Sequence, residues 1–197
     1  MTQSLLDKSG ARKYLVASER KAFVSVAAMH EDDGIAAFCL TLAVTGARIS
    51  EVLALTPERV DVSNSAVVFE TLKQRKKGVF RAVPVTHLLL RMLIGICNEP
   101  RARLWPWGRT TAWKLVKRSM LAAEIPHWLC KPKALRHAFA VEAGQHGVQL
   151  HIVQRWLGHA RLETTVIYSS VLGEEERVLA GKTWECLTEA MTRPDKR

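Results

Sequence analysis

A chain of 197 residues, 48% of them hydrophobic, is long enough to bury the core of one domain without disulfide or metal staples. Its 29 Lys and Arg against 19 Asp and Glu leave a formal charge of +10, which argues for a polyanionic partner, nucleic acid first. The four cysteines, Cys39, Cys97, Cys130 and Cys186, stand far apart with no CxxC pair and no secretory leader before them, so they read as reduced thiols of a cytoplasmic protein.

In chain order, residues 1–17 are polar and mixed and read as a short extension, with residues 18–197 forming one domain. Ser18 is expected to cap a helix through "ERKAFVSVAAMH". Asp33 is expected to cap a second, "GIAAFCLTLAVT", which Gly46 ends. This apolar run is too short to cross a bilayer, so no membrane partner is expected. "ARISEVLAL" makes a short helix stopped by Thr56 and Pro57, which sets Arg48 in the first turn after a helix-helix corner. "AVVFETL" and "VFRAVPV", rich in β-branched and aromatic residues, flank the basic "KQRKKG" and predict a hairpin in a sheet of two or three strands.

From Thr86 onward the pattern is helical: "HLLLRMLIGIC", "TTAWKLVKRSMLAAE", "ALRHAFAVEAGQH" closed by Gly147, and "LHIVQRWL" closed by Gly158. Two more helices are expected over "LETTVIYSSV" and "EEERVLAGKTWECLTEAM", the second with Glu174, Glu175 and Glu176 at its positive end. The fold class is therefore mainly α, α+β, with a small antiparallel sheet. Leu53, Leu55, Val141, Ile152, Trp156 and Leu157 read as core, and Trp105, Trp107 and Trp113 as packing for a loop and helix. The basic residues are grouped at 73–81, 101–103, 114–118 and 131–137, which favours contact with a phosphate backbone over mere solubility.

"TGARISEVLAL", a hairpin lysine at Lys73, "KALRHAFA", "LGHA", and Tyr168 nine residues after His159 occur in an order and spacing that resembles the catalytic domain of the tyrosine recombinase, or phage integrase, family. The resemblance covers roughly residues 15–185 and rests on the agreement of separated motifs. It implies that Tyr168 is a nucleophile that attacks a DNA phosphodiester, leaving a 3′-phosphotyrosine and a free 5′-hydroxyl, with no cofactor and no metal. Arg48 and Arg136 match the family's two arginines, which neutralise charge on the nonbridging oxygens. Lys73 matches the lysine that protonates the leaving 5′-oxygen, and His159 the histidine that donates to the phosphate and buttresses the tyrosine. Glu51 either orients Arg48 or is a solvated carboxylate. Arg75, Lys76, Lys77 and Arg81 are expected on DNA, Arg81 matching a basic residue that commonly precedes the second strand.

One position departs from the family's HxxR pattern, where Lys133 takes the place of the histidine. Lysine keeps charge and donors but is a weak general base, so slower activity or a changed pH profile is expected. His30, His87, His127, His137, His146 and His151 gain no role from spacing, and the pair His146 and His151 lacks a third metal ligand. The short segment before the first core helix matches a family form without the N-terminal core-binding domain. The resemblance further implies a homo-oligomer, dimer to tetramer, on double-stranded DNA, accessory DNA-bending proteins, and a C-terminal helix that docks on a neighbouring protomer or folds back in cis. The rival reading is a non-catalytic DNA-binding relative, and a third is a type IB topoisomerase-like or hairpin-resolving activity.

Overall fold

The computed structural model describes residues 5–71, 78–97, 99, 101–160 and 163–168. The first described residues already belong to the fold: Leu5 and Leu15 are buried, and Leu6 and Arg12 pair in an isolated antiparallel bridge. The Asp7 carboxylate holds the intervening turn by accepting from the Ser9 amide and hydroxyl and from the Ala11 amide. Within the segment expected as an extension, Leu5 and Leu15 pack inward while Leu6 is exposed. Helix α1 (Ala17–Ala28) starts before Ser18. Glu19, gripped by both arms of the Arg12 guanidinium at 2.6 Å, accepts the Val16 N–H and so starts the helix in place of a serine cap.

Helix α2 (Asp33–Thr45) is capped by Asp32, not Asp33, through the Ile35 N–H at 3.0 Å. It is apolar on nearly every side because it lies at the centre, packed against α1, α4 (His87–Gly95), α5 (Arg109–Ala122) and α6 (Pro132–Gln145). Gly46 ends it at φ +62, and a Cβ there would fall 2.6 Å from the Phe139 ring, so both the backbone and the neighbour require glycine. Helix α3 (Ile49–Leu53) follows at once, then a 3-10 turn (Pro57–Arg59).

The sheet has three antiparallel strands in the order β1 (Val60–Asp61), β2 (Ala66–Glu70), β3 (Phe80–Pro84), with Val67 opposite Val83 and Phe69 opposite Arg81. Strand β3 alternates exposed Phe80, buried Arg81, exposed Ala82, buried Val83 and exposed Pro84. The two-residue period therefore points Arg81 to the same face as the apolar core. Helix α7 (Leu150–Leu157) ends at Gly158 (φ +65), and α8 (Glu163–Val166) is shorter than the helix expected there.

The main core joins α1 to α6 and the sheet around Phe23, Phe38, Phe69, Trp105 and Leu135. Trp105 and Trp107 both meet Phe38 edge-on, and the Trp105 indole N–H donates to the Gly34 carbonyl at 2.8 Å. Trp113 is more exposed, with the Lys117 ammonium 5.5 Å from its ring centroid. A second cluster, Leu5, Phe139, Ala140, Val141, Val153, Leu157 and Tyr168, fills the space between α6, α7 and α8. Leu53, Leu55, Val141 and Leu157 are buried as expected, while Ile152 and Trp156 are half-buried. Among the described residues no helix is long and apolar enough to cross a membrane. Cys39, Cys97 and Cys130 are free thiols, and burial pushes Cys39 up to about 11; Cys186 lies outside the described residues.

Candidate functional site

Two corners of the helical layer meet at the second cluster, and each contributes one arginine. Arg48 precedes the first residue of α3 and lies half-buried, with Nη1 donating to Glu51 Oε1 at 2.7 Å and its amide to Glu51 Oε2 at 2.8 Å. Glu51 is fully buried and also accepts from Arg81 Nη2 at 2.6 Å. Burial raises the Glu51 carboxyl, but the Arg81 charge and hydrogen bond, with help from Arg48, outweigh it and hold the group below the usual carboxylate range. Glu51 is therefore a buried bracket between two guanidiniums and not a solvated carboxylate.

Arg81 does not face outward, and the expectation that it contacts DNA is corrected. Each of its three guanidinium nitrogens has an internal partner: Nε donates to the Trp156 carbonyl at 2.7 Å, Nη1 to Thr71 Oγ1 at 3.1 Å and Nη2 to Glu51. The plane also lies 5.3 Å from the Phe69 ring centroid. A Cβ on Gly158 would sit 3.0 Å from Arg81 Nη1, so the glycine that ends α7 also lets β3 dock against it. Arg81 ties the sheet, α3 and the end of α7 together.

Arg136 sits on α6, 7% exposed, and donates to the Gly46 carbonyl at 2.9 Å and the Leu157 carbonyl at 2.7 Å. It thus caps the C-terminal ends of α2 and α7, where a cation is favoured by the helix dipoles. Burial first, then the Arg48 charge, lower its pKa, while Glu51 and Tyr168 oppose that shift. The guanidinium stays protonated at neutral pH.

Tyr168 is 5% exposed, in the turn that follows α8. Its amide donates to the Thr165 carbonyl at 3.0 Å. Its hydroxyl lies 3.0 Å from His137 Nδ1, and its ring stacks on His159 with centroids 6.4 Å apart and planes 12° apart. Burial raises the phenol's pKa, and Arg136 followed by Arg48 pull it down. His159 follows the Gly158 cap, with Nδ1 2.9 Å from Thr165 Oγ1, and is lowered to about 3 by burial and by Arg136 and Arg48. Both rings are therefore uncharged at neutral pH beside two permanent cations, an arrangement suited to receiving an oxyanion.

Lys133 is exposed on the first turn of α6, close enough for its charge to act on His137. Lys73, Arg75, Lys76 and Lys77 lie outside the described residues. The neck of their hairpin is closed by the Thr71 amide on the Val79 carbonyl at 2.8 Å. Thr71 and Val79 also line a cleft of about 280 Å³ together with Arg81, Gly158 and His159. A larger cleft of about 340 Å³, lined by Ser50, Leu53, Arg103, Trp107 and Arg109, includes none of Arg48, Arg136 and Tyr168, and the chemistry places the site elsewhere. His146 and His151 are exposed, and the described residues hold no cluster of three metal-ligating side chains.

His137 is the site residue that spacing did not single out. It directly follows Arg136, but its partner lies 31 residues further on and meets it only through the packing of α6 against the segment after α7. The one signal in the sequence was the need of a buried phenol for a polar partner.

Comparisons with known proteins identify the family and the fold. A model of the phage integrase family matches residues 14–175. Tyrosine recombinase XerD of Pasteurella multocida is 32% identical over 148 residues, covering 68% of this chain and 48% of that protein. The Haemophilus influenzae XerD is 34% identical over 144 residues, with the same coverage of 68% and 48%. The chain thus spans about half the length of the curated relatives it matches. Among solved structures, XerH site-specific recombinase in a post-cleavage complex with palindromic difH substrate aligns with a TM-score of 0.73 at 21% identity, over 92% of this chain and 57% of that one. The catalytic domain of bacteriophage HP1 integrase aligns with a TM-score of 0.63 at 22% identity, over 89% of this chain and 96% of that one. These structural likenesses are likenesses of fold, and the helical layer with its three-stranded antiparallel sheet is the shared one. The family match, the XerD relatives and the fold lead to one conclusion: this chain belongs to the phage integrase family, as a tyrosine recombinase catalytic domain.

Proposed function

We propose that the chain cleaves and rejoins DNA strands at specific sites through a covalent 3′-phosphotyrosine on Tyr168. The observation that carries the reading is the convergence of Tyr168, His159, Arg136 and Arg48 in one electrostatic neighbourhood, with both arginines acting on the phenol. Tyr168 loses its proton and its oxygen attacks phosphorus, and the bond to the 5′-oxygen breaks. Lys73 protonates that oxygen as it leaves. Arg48 and Arg136 neutralise the nonbridging oxygens of the transition state, and His159 donates to them as the phosphate arrives. Attack by the 5′-hydroxyl of a partner strand reverses the chemistry and conserves the energy of the phosphodiester.

The partner is double-stranded DNA, held by a chain of net charge +10, with Arg75, Lys76 and Lys77 on the phosphate backbone. Exchange between two duplexes calls for a homo-oligomer, dimer to tetramer, with DNA-bending proteins as accessory factors. Integration, excision, inversion and resolution all use this one reaction. Reduced thiols and the absence of a membrane-crossing helix among the described residues support action in the cytoplasm.

A second reading is favoured by Lys133, which stands where the family carries histidine: binding to DNA without cleavage. A pool of randomised duplexes, each nicked beside its centre so that the released strand diffuses away, separates the two. The unaltered protein traps DNA covalently, and Tyr168→Phe traps none while keeping salt-sensitive binding. Binding without trapping by the unaltered protein would establish the second reading.

A further inference from the structure

We propose that His137 is a positioning residue for Tyr168: its neutral imidazole carries its proton on Nδ1 and donates it to the phenolic oxygen, holding that oxygen beside Arg136. The inference rests on the recombinase reading for its consequence, but not for its geometry. His137 Nδ1 lies 3.0 Å from the Tyr168 hydroxyl, and both side chains are buried at 5% exposure. The other ring nitrogen, Nε2, is buried with no hydrogen-bond partner among the described residues.

A neutral imidazole has one N–H to place. Placed on Nε2 it would be a buried donor with nothing to meet. Placed on Nδ1 it meets the phenolic oxygen, and Nε2 keeps only an unused lone pair, the less costly vacancy in an interior. The charges around the ring, Lys133, Arg136 and Lys13, all act against an imidazolium, as does burial, and together they bring the group down to about 4. The ring is therefore neutral at working pH, and it is a poor resting place for the phenolic proton.

The direction of the bond decides what it does. A donor aimed at the phenolic oxygen stabilises the anion that must form there, whereas an acceptor would stabilise the resting phenol. The first arrangement adds to the pull of Arg136 and Arg48 on the same oxygen. It also leaves the O–H of Tyr168 directed away from His137, so its proton departs to another acceptor.

Three readouts on the full chain test this. Nitrogen-15 NMR of histidine-labelled protein without DNA is expected to show, at neutral pH, one buried ring protonated at Nδ1 and bare at Nε2, assigned by its loss in His137→Asn. A ring protonated at Nε2, or an imidazolium, would overturn the inference. In a Tyr14→Phe background Tyr168 is the one remaining tyrosine, so its ionisation can be followed by ultraviolet absorbance. His137→Phe is expected to move that ionisation to higher pH, and His137→Asn, whose amide N–H falls where Nδ1 was, to restore it.

On the nicked duplexes recovered by trapping from the randomised pool, His137→Phe should slow single-turnover cleavage roughly 10- to 100-fold with binding unchanged, and His137→Asn should recover most of the rate. Equal losses in both variants, no loss, or faster cleavage would each overturn the positioning role while leaving the recombinase reading intact. If the unaltered protein traps no DNA, the recombinase reading falls, and the tautomer measured by NMR still decides the hydrogen bond.

Discussion

Three arginines surround the buried end of Glu51 and Tyr168, and their surroundings assign them different work. Arg48 is partly exposed and held by Glu51 through one of its guanidinium nitrogens. Arg48→Ala is expected to lower cleavage by roughly 10²- to 10³-fold while costing about 0–1 kcal/mol of stability. Arg81→Ala is expected to do the reverse in stability, losing about 3–5 kcal/mol, because it leaves the Glu51 carboxylate buried opposite an empty site. Chemical denaturation and single-turnover cleavage on the same two variants check the contrast. The buried imidazoles supply a second prediction. His137 is held at about 4 and His159 at about 3, each by burial first and then by neighbouring cations, against an ordinary value of 6.5. Between pH 6.5 and 4 the unfolded chain therefore binds protons that the folded chain refuses. Stability is complete above about 6.5 and falls as the pH drops toward 4, and replacing both histidines with asparagine flattens that part of the curve, as denaturant midpoints would show. The family resemblance pointed to Arg48, Arg136, His159 and Tyr168, which lie in one neighbourhood, because their motifs are local. It misplaced Arg81 and passed over His137, whose roles depend on which way a strand's pleat faces and on a contact between distant segments.

At the scale of elements, the site is made by helix ends. Gly46 and Gly158 stop α2 and α7 in left-handed turns, and the carbonyls of Gly46 itself and of Leu157, the residue before Gly158, accept from Arg136. Gly158 also allows the close approach of Arg81. Gly158→Ala is accordingly expected to destabilise the protein by more than about 1 kcal/mol, from backbone strain and contact with the guanidinium. Cleavage should fall as well, because His159 follows directly. Thermal unfolding and trapping of Gly158→Ala beside a control substitution at Gly144, where a Cβ meets nothing within 4 Å, separate the two effects. These stops were legible because a glycine closing an apolar period has one local meaning. The sheet was legible from its β-branched runs. The start of α1 was not, since a salt-bridged Glu19 replaces the expected serine cap. Nor was the brevity of α8, a turn held by the Thr165 contact to His159.

At the scale of the whole molecule, the two hydrophobic clusters divide the labour. The larger carries α2 as a rigid centre and fixes Arg48 and Arg136. The smaller carries Tyr168 on a short segment after α7 and joins it to Leu5 near the start of the chain. Leu5 was hidden among polar neighbours, so the sequence suggested an extension where the fold uses this side chain in the smaller cluster. The net charge of +10 was informative about the partner and silent about the site, because charge acts over the whole surface whereas catalysis depends on a few buried directions. The central claim is that one of the two tyrosines forms the bond to DNA. Digestion of the trapped complex and mass spectrometry of the peptide that retains nucleotide test it most directly. The adduct is expected on Tyr168, through a 3′-phosphate. An adduct on Tyr14 or on any other side chain, or DNA bound to saturation with no modified peptide, would contradict it.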